Sequence, residues 1–425
     1  MKDKLKNWKR YTPVLYWLII IALLALFFTN DYGIVDIHKS SAIVAVGIDT
    51  AGDEVEVTAQ VANPQPSQSG ENVNYILVQG SGQTVADALN EINVKIGTYP
   101  KLLFCKLILL GDNCKEEELF RMLGCFYRRN YSELTALVAM CEGKAQEMLA
   151  MPAIIDPQNA TAIQKVISSE LRKSANVSSA TLKSIAETNY SVSEACFMPY
   201  IQANKQGTSE SGGNGDNVGG DKVEGGQSGG QSGGSGGGEE SGGSSGGSSG
   251  GSSGGGEPVE FTARQTAVFS GGKFAGILDE QQAFALNVLT TDIRLAVVPA
   301  DYDGVHYTLG LKKAKGDTKL SVKDGVPELT VSFKAVAQVQ GAKKIMQPES
   351  VMYDDSVKPE VLKAAEEEIE RRVQSLLDTC KETNCDVLGV KDLLHKYNHK
   401  YFDAFKDDIL SRMKVNYKIQ IKSLN

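Results

Sequence analysis

His395 and His399 stand four residues apart in a segment of helical periodicity, a spacing that lets two imidazoles grip one zinc ion from one helix face. A metalloprotease would also need a glutamate directly after the first histidine, as general base. Lys396 stands there and no third ligand is evident, so a solvated helix face is the simpler reading. Cys380 and Cys385 could close a short disulfide loop, but Cys380 falls on the apolar side of its helical repeat. Seven cysteines, an odd number, do not make a dense disulfide framework. Cys105, Cys125 and Cys141 lie in apolar stretches and read as buried thiols. Glycan hydrolysis would need two carboxylates flanking a cleft, and no such pair stands out. The run Glu116-Glu117-Glu118 reads as the favourable first turn of a helix. Glu366-Glu367-Glu368 with Arg371 and Arg372 reads as a solvated face with i,i+4 pairs. No catalytic, cofactor or metal residue emerges, and none is expected.

The elements around these residues form two regions. In the first, Ala42–Ile48 and Val55–Val61 flank the turn residues 49–53 and predict a β-hairpin, with Val73–Val78 a third strand. Thr84 can cap a helix that Gly97 ends, with Val85, Ala88, Leu89, Ile92 and Ile96 on its apolar face. Leu102–Leu110 predicts a central buried strand, Glu116–Arg129 a helix, Leu134–Cys141 a second buried strand, and Gly143–Met151 another helix. A helical stretch from Thr161 to about Thr188 and a strand over Cys196–Ile201 follow.

The second region opens with a hairpin, Thr262–Phe269 and Lys273–Leu278 around Ser270-Gly271-Gly272. Asp279 caps a helix to about Leu289. Strands are predicted over Asp292–Val298, Val305–Leu311 and Glu328–Val339. Pro359 suits the first turn of a long helix carrying Leu362, Ala365, Ile369, Val373, Leu376 and Cys380. A second helix carries Leu394, Tyr397, Tyr401, Phe405 and Ile409. Val415–Ile421 alternates apolar and polar, the pattern of a half-buried strand. Interleaved strands and helices define a mixed α/β (α+β) class, with mixed sheets flanked by helices.

Of the 43 glycines in 425 residues, 24 fall within 207–256, where Ser-Gly-Gly units repeat and Val218 and Val223 are the only large apolar residues. Such a segment cannot bury enough surface to offset its ordering entropy and predicts a disordered linker or loop over 206–257. The expected organisation is a stub at 1–10, an anchor at 11–30, an α/β region at 31–205, the glycine-rich tract, and an α/β domain at 258–425.

The anchor rests on twenty uncharged residues, Tyr11–Asn30, long enough for a helix to cross about 30 Å of hydrocarbon. Trp8, Tyr11, Tyr16 and Trp17 crowd one end and Phe27 and Phe28 the other, positions suited to the membrane interface. Lys2, Lys4, Lys6, Lys9 and Arg10 precede the segment and Asp31 and Asp36 follow it. The positive-inside rule then leaves the amino terminus in the cytoplasm and the bulk outside. The bulky end Leu26-Phe27-Phe28 is unlike the small residues of a signal-peptide cleavage site. A formal charge of −8 argues against nucleic acid as a partner.

In order along the chain, several motifs resemble the Ger(x)C family, the C-type subunits of bacterial spore germinant receptors. They are Ala42-Ile43-Val44-Ala45-Val46-Gly47-Ile48-Asp49 with Val57–Pro64, Ser81-Gly82-Gln83-Thr84, Tyr99-Pro100-Lys101-Leu102, and Glu142-Gly143-Lys144-Ala145. Further on come Ala267-Val268-Phe269 with Lys273, Gly276 and Leu278, and Asp386-Val387-Leu388-Gly389. Each is a packing or turn signature. The chain departs from the family in lacking a lipidated cysteine near the amino terminus. It also has Phe104-Cys105-Lys106 where a Gly-His pair is common, and it carries the glycine tract. The resemblance implies a non-enzymatic extracytoplasmic subunit at the spore inner membrane, with a multi-pass B-type and an A-type subunit as partners; that the bilayer is held through the amino-terminal helix is expected from the residues of that segment, in place of the family's lipid. A surface-anchored cell-wall enzyme and a transporter-associated small-ligand binding protein are the alternative readings.

Overall fold

The computed structural model describes residues 16–25, 40–63, 74–205 and 258–424, apart from 98, 129–131, 155, 157, 174, 292 and 345–355. Residues 16–25 are helical (α1), with Tyr16 and Trp17 exposed. No helix among the described residues is long and apolar enough to cross a membrane. The rest of the expected span, including Tyr11, Phe27 and Phe28, lies outside them, as do Trp8 and the glycine-rich tract.

Nine strands build the larger sheet. β1 (Ser40–Ala51) pairs antiparallel with β2 (Glu54–Asn63), and β2 with β3 (Asn74–Gly82). On its other side β1 runs parallel to β4 (Tyr99–Lys101) and β5 (Leu107–Leu110). β5 is parallel to β6 (Leu137–Cys141), and β6 to β7 (Ala195–Lys205). β8 (Val259–Ser270) and β9 (Lys273–Leu278) complete the order β3-β2-β1-β5-β6-β7-β8-β9 by antiparallel pairing. The strands on either side of the glycine-rich tract are thus direct neighbours, in register from Ala195↔Ser270 to Lys205↔Val259.

The central parallel strands are apolar throughout because both faces are covered. Ile108, Leu110, Val138 and Met140 enter one core and Leu107, Leu109, Ala139 and Cys141 the other. The first core is closed by α2 (Val85–Ile96), α3 (Leu119–Arg128) and α6 (Leu182–Asn189), the second by α4 (Ala145–Ala150) and α5 (Asn159–Lys173). The expected caps form: Thr84 Oγ1 accepts the N–H of Asp87, and Gly97 closes α2 in the left-handed conformation.

A third core lies under a four-stranded sheet, β10 (Ile293–Tyr302), β11 (Val305–Lys323), β12 (Val326–Lys344) and β13 (Lys414–Ser423). The first three strands are antiparallel and β13 runs parallel to β12. One face is covered by α7 (Glu280–Thr290), α8 (Pro359–Glu382), α9 (Val390–Tyr397) and the short α10 (Phe402–Phe405) and α11 (Ile409–Arg412). α7 is buried from Ala283 to Leu289 on every side, the pattern of a helix enclosed between other elements.

Five expectations are corrected. Leu102–Phe104 is a 3-10 turn with Leu103 and Phe104 exposed, and the strand begins at Leu107; the turn lets β1 pair with β4 first and β5 next. Leu134 is exposed, and β6 begins at Leu137. The helix expected from Glu116 begins at Leu119, whose N–H is taken by the Gly272 carbonyl of the β8–β9 turn. The stretch 161–188 is two helices. Between them Ser178 bonds Thr266 at 2.9 Å, the N–H of Val138 reaches the Ala180 carbonyl, and Thr181 starts α6 with its own capping box. The final helix breaks at Asn398 (φ −133°), whose Nδ2 is drawn to the Leu320 carbonyl of β11.

Candidate functional site

Two buried aspartates organise the polar interior. Asp49, 1% exposed, ends the apolar run of β1. Its Oδ1 accepts the Ala145 N–H and its Oδ2 the Gln146 N–H, each at 2.9 Å, so a side chain 96 residues away caps α4. Lys144, at the cap position itself, makes no side-chain cap bond. Burial pushes the Asp49 carboxyl above its ordinary range, and the two N–H donors pull it back. The backbone of Gly111 passes so close to Asp49 Oδ1 that any Cβ there would collide with it. Beside it, the Tyr200 hydroxyl donates to Asp112 Oδ1 at 2.9 Å and Lys115 Nζ lies 2.5 Å from the same oxygen. These groups sit at the carboxyl ends of β1, β5 and β6, where open α/β sheets commonly place ligands. Here both Asp49 oxygens are engaged by backbone, and the geometry is that of a brace.

Asp386, 2% exposed, lies at the junction between the two sheets. Its Oδ1 accepts the Val390 N–H at 2.8 Å, and its Oδ2 accepts the Lys391 N–H at 2.7 Å and the Ser193 hydroxyl at 2.8 Å. It therefore caps α9 and ties that helix to the segment leading into β7. Gly389 precedes α9 with φ +68°, a conformation that suits glycine. Burial pushes the Asp386 carboxyl up, opposed by the Lys391, Val390 and Ser193 bonds. More bonds cross the same seam. Asp392 accepts the Val192 N–H at 2.8 Å, the Cys385 thiol points at the Phe269 carbonyl at 3.4 Å, and Asn287 Nδ2 donates to the Ala175 carbonyl at 2.7 Å.

The pairing of Glu368 and Arg372 corrects the reading of that stretch as a solvated face. Both are buried, Arg372 Nε lies 2.7 Å from Glu368 Oε1, and the guanidinium sits 4.8 Å from the Phe284 ring centroid. Glu366 Oε1 accepts the Ile421 N–H of edge strand β13 at 2.8 Å. Glu116–Glu118 precede α3 and do not form its first turn.

His395 and His399 are brought together edge to face, 4.9 Å between centroids, with Phe402 packed on both, and a 3-10 turn carries His399 off the helix. Among the described residues no group of three or more His, Cys, Asp or Glu could hold a metal ion. All seven cysteines are free thiols. Burial pushes Cys105, Cys114, Cys196, Cys380 and Cys385 up to about 12 and Cys141 well above its ordinary value, so none of these six is a ready nucleophile. Of the expected anchor residues, Tyr16 and Trp17 are described, and both are exposed on α1.

The sequence did not single out Asp49 or Asp386 as working residues. The available signal was an acid closing an apolar strand and an Asp-x-x-Gly turn.

These two aspartates fall within two separate family matches. Residues 33–203 match the spore germination protein N-terminal domain, and residues 264–424 match the spore germination B3/GerAC-like C-terminal domain. The chain belongs to this spore germination family, the Ger(x)C family its motifs resemble. The crystal structure of the GerBC protein is similar at 16% identity, over 89% of this chain and 97% of that one, with a TM-score of 0.48. No curated protein matches the chain.

Proposed function

We propose that the chain is a non-enzymatic C-type subunit of a spore germinant receptor, anchored by its amino-terminal segment in the spore inner membrane. In this reading its bulk lies outside the cytoplasm and it works through contacts with A-type and B-type subunits. What supports the reading is family membership on both sides of the glycine-rich tract, together with the Asp386 junction, whose Asp-x-x-Gly turn locks one sheet to the other. The anchor is supported by twenty uncharged residues flanked by five basic ones on one side. Deleting the gene should abolish germination in response to a subset of nutrients. Normal germination on every nutrient would overturn the receptor role. Alkaline washing should leave the protein in the membrane pellet, and quantitative release would overturn the anchor.

A further inference from the structure

Among the described residues, the four-stranded sheet is covered on one face only. On β12 the residues Leu329, Val331, Phe333, Ala335 and Ala337 point into the core. The alternate positions, with those facing them on β11 and β13, form the open side. It carries Lys315 on β11, Lys334 on β12, and Lys414, Lys418 and Lys422 on β13, all exposed. None of these five makes an ion pair among the described residues. Three further lysines do bond locally, Lys312 to Gln338, Lys319 to Asp317 and Lys323 to Glu328. Lys315 and Lys334 face each other directly across the β11–β12 ladder, a like-charge pairing that works against sheet stability. Where β11, β12 and β13 run side by side, the acids among the described residues are Asp317 and Glu328, already paired to Lys319 and Lys323; on β10, Asp301 is paired to His306. The patch runs against the sign of a chain of net charge −8.

We propose that this open sheet face docks on an anionic phospholipid surface. Charge complementarity calls for a polyanionic partner, and the composition favours lipid over protein. Protein interfaces concentrate arginine and aromatic side chains and are depleted in lysine. Where β11, β12 and β13 run side by side, this face has neither arginine nor aromatic residues. Lysines spread over a sheet, with no apolar anchor at the centre, instead match the weak and additive attraction of basic side chains to an anionic leaflet. The contact would hold the second sheet at a fixed attitude to the bilayer. The proposal extends the membrane reading above but does not require a spanning helix.

The test is lysine footprinting of the full-length protein with a water-soluble acylating reagent, in phosphatidylcholine vesicles with and without phosphatidylglycerol. Lys315, Lys334, Lys414, Lys418 and Lys422 should lose reactivity at least about five-fold in the anionic vesicles, the factor that one surface-bound lysine contributes to partition. Lys183 and Lys363, exposed elsewhere, should be unchanged, and high salt should restore the five. The double variant K334E/K418E should lose the protection while keeping the circular dichroism of the parent. Equal reactivity in the two vesicle types overturns the proposal. So does protection that survives the double variant, or protection that appears only when other spore-membrane proteins are added, which would make the partner an acidic protein. Alkaline extraction of the same vesicles reports the anchor separately, so a pelleted protein with unprotected lysines refutes this face and leaves the anchor standing.

Discussion

Replacing Asp386 by alanine should unfasten the junction between the two sheets. The carboxylate serves three donors, the N–H groups of Val390 and Lys391 and the Ser193 hydroxyl, in a site 2% exposed. Loss of the α9 cap costs about 1 kcal/mol. The Ser193 hydroxyl, the one donor outside the cap, is left unpartnered in a buried site and adds about 1–3 kcal/mol. Relief of the burial penalty on the carboxylate, and entry of water into the vacated space, offset part of this. The net expectation is a loss of about 2–3 kcal/mol, a large fraction of a typical domain's stability. Asp386→Asn keeps one acceptor but turns an amide NH₂ toward a donor, and should cost about 1–2 kcal/mol. Ser193→Ala should cost about 1 kcal/mol, and combined with Asp386→Ala it should add little, because the shared bond is already gone. Both tryptophans, Trp8 and Trp17, lie in the amino-terminal segment, so urea unfolding of the full chain in mild detergent is best followed by circular dichroism. Hydrogen exchange should show faster opening of α9 and of the segment before β7. An Asp386→Ala loss below about 0.5 kcal/mol, the range of neutral surface changes, would mean that these bonds do not hold the junction. So would strictly additive costs with Ser193→Ala.

Other expectations concern pH, the glycine tract and the thiols. Asp49 and Asp386 both have folded-state pKa values raised above 3.8, so between that value and the raised one the folded state binds more protons than the unfolded. Their contribution to stability therefore grows as pH falls through this window and is lost as pH rises through it. The stability gap between the parent and Asp386→Asn should widen from neutral pH toward pH 4, and a gap that narrows would contradict the assignment. Because Lys205 and Val259 are paired neighbours, replacing 206–258 with a two-residue Asn-Gly turn should leave the fold intact. If the tract is the coil its composition implies, the replacement should stabilise by about 2–3 kcal/mol through a shorter loop closure, measured by urea unfolding. Failure to fold would mean the tract is needed for the β7–β8 pairing. Thiol titration should find seven free groups after denaturation and, in the native protein, at most the half-buried Cys125 reacting; a total of five would reveal a disulfide.

Features set by neighbouring residues were legible in the sequence. The Thr84, Gly97 and Asp279 caps, the Pro359 start and the β8–β9 turn all depend on contacts within a few positions, and each formed as expected. Features set by distant partners were not. The break at Asn398 depends on a carbonyl of β11, the divided helices of 161–188 on Thr266 and β6, and the start of α3 on Gly272. An i,i+4 acid–base pair such as Glu368–Arg372 reads the same exposed or buried, and only the approach of α7 with Phe284 removes it from water. Asp49 and Asp386 were visible as motif residues, but their donors lie up to 97 and 193 positions away. The anchor residues were legible as composition alone.

A subunit proposed to work through contact with other receptor subunits should travel with them out of the membrane. The most direct measurement is affinity purification of the tagged full-length chain from detergent-solubilised spore membranes. The proposed receptor role predicts co-purification, in fixed ratio, of a multi-pass membrane protein and a second large subunit. Recovery of the chain alone under mild detergent, with germination unaffected by its loss, would contradict it.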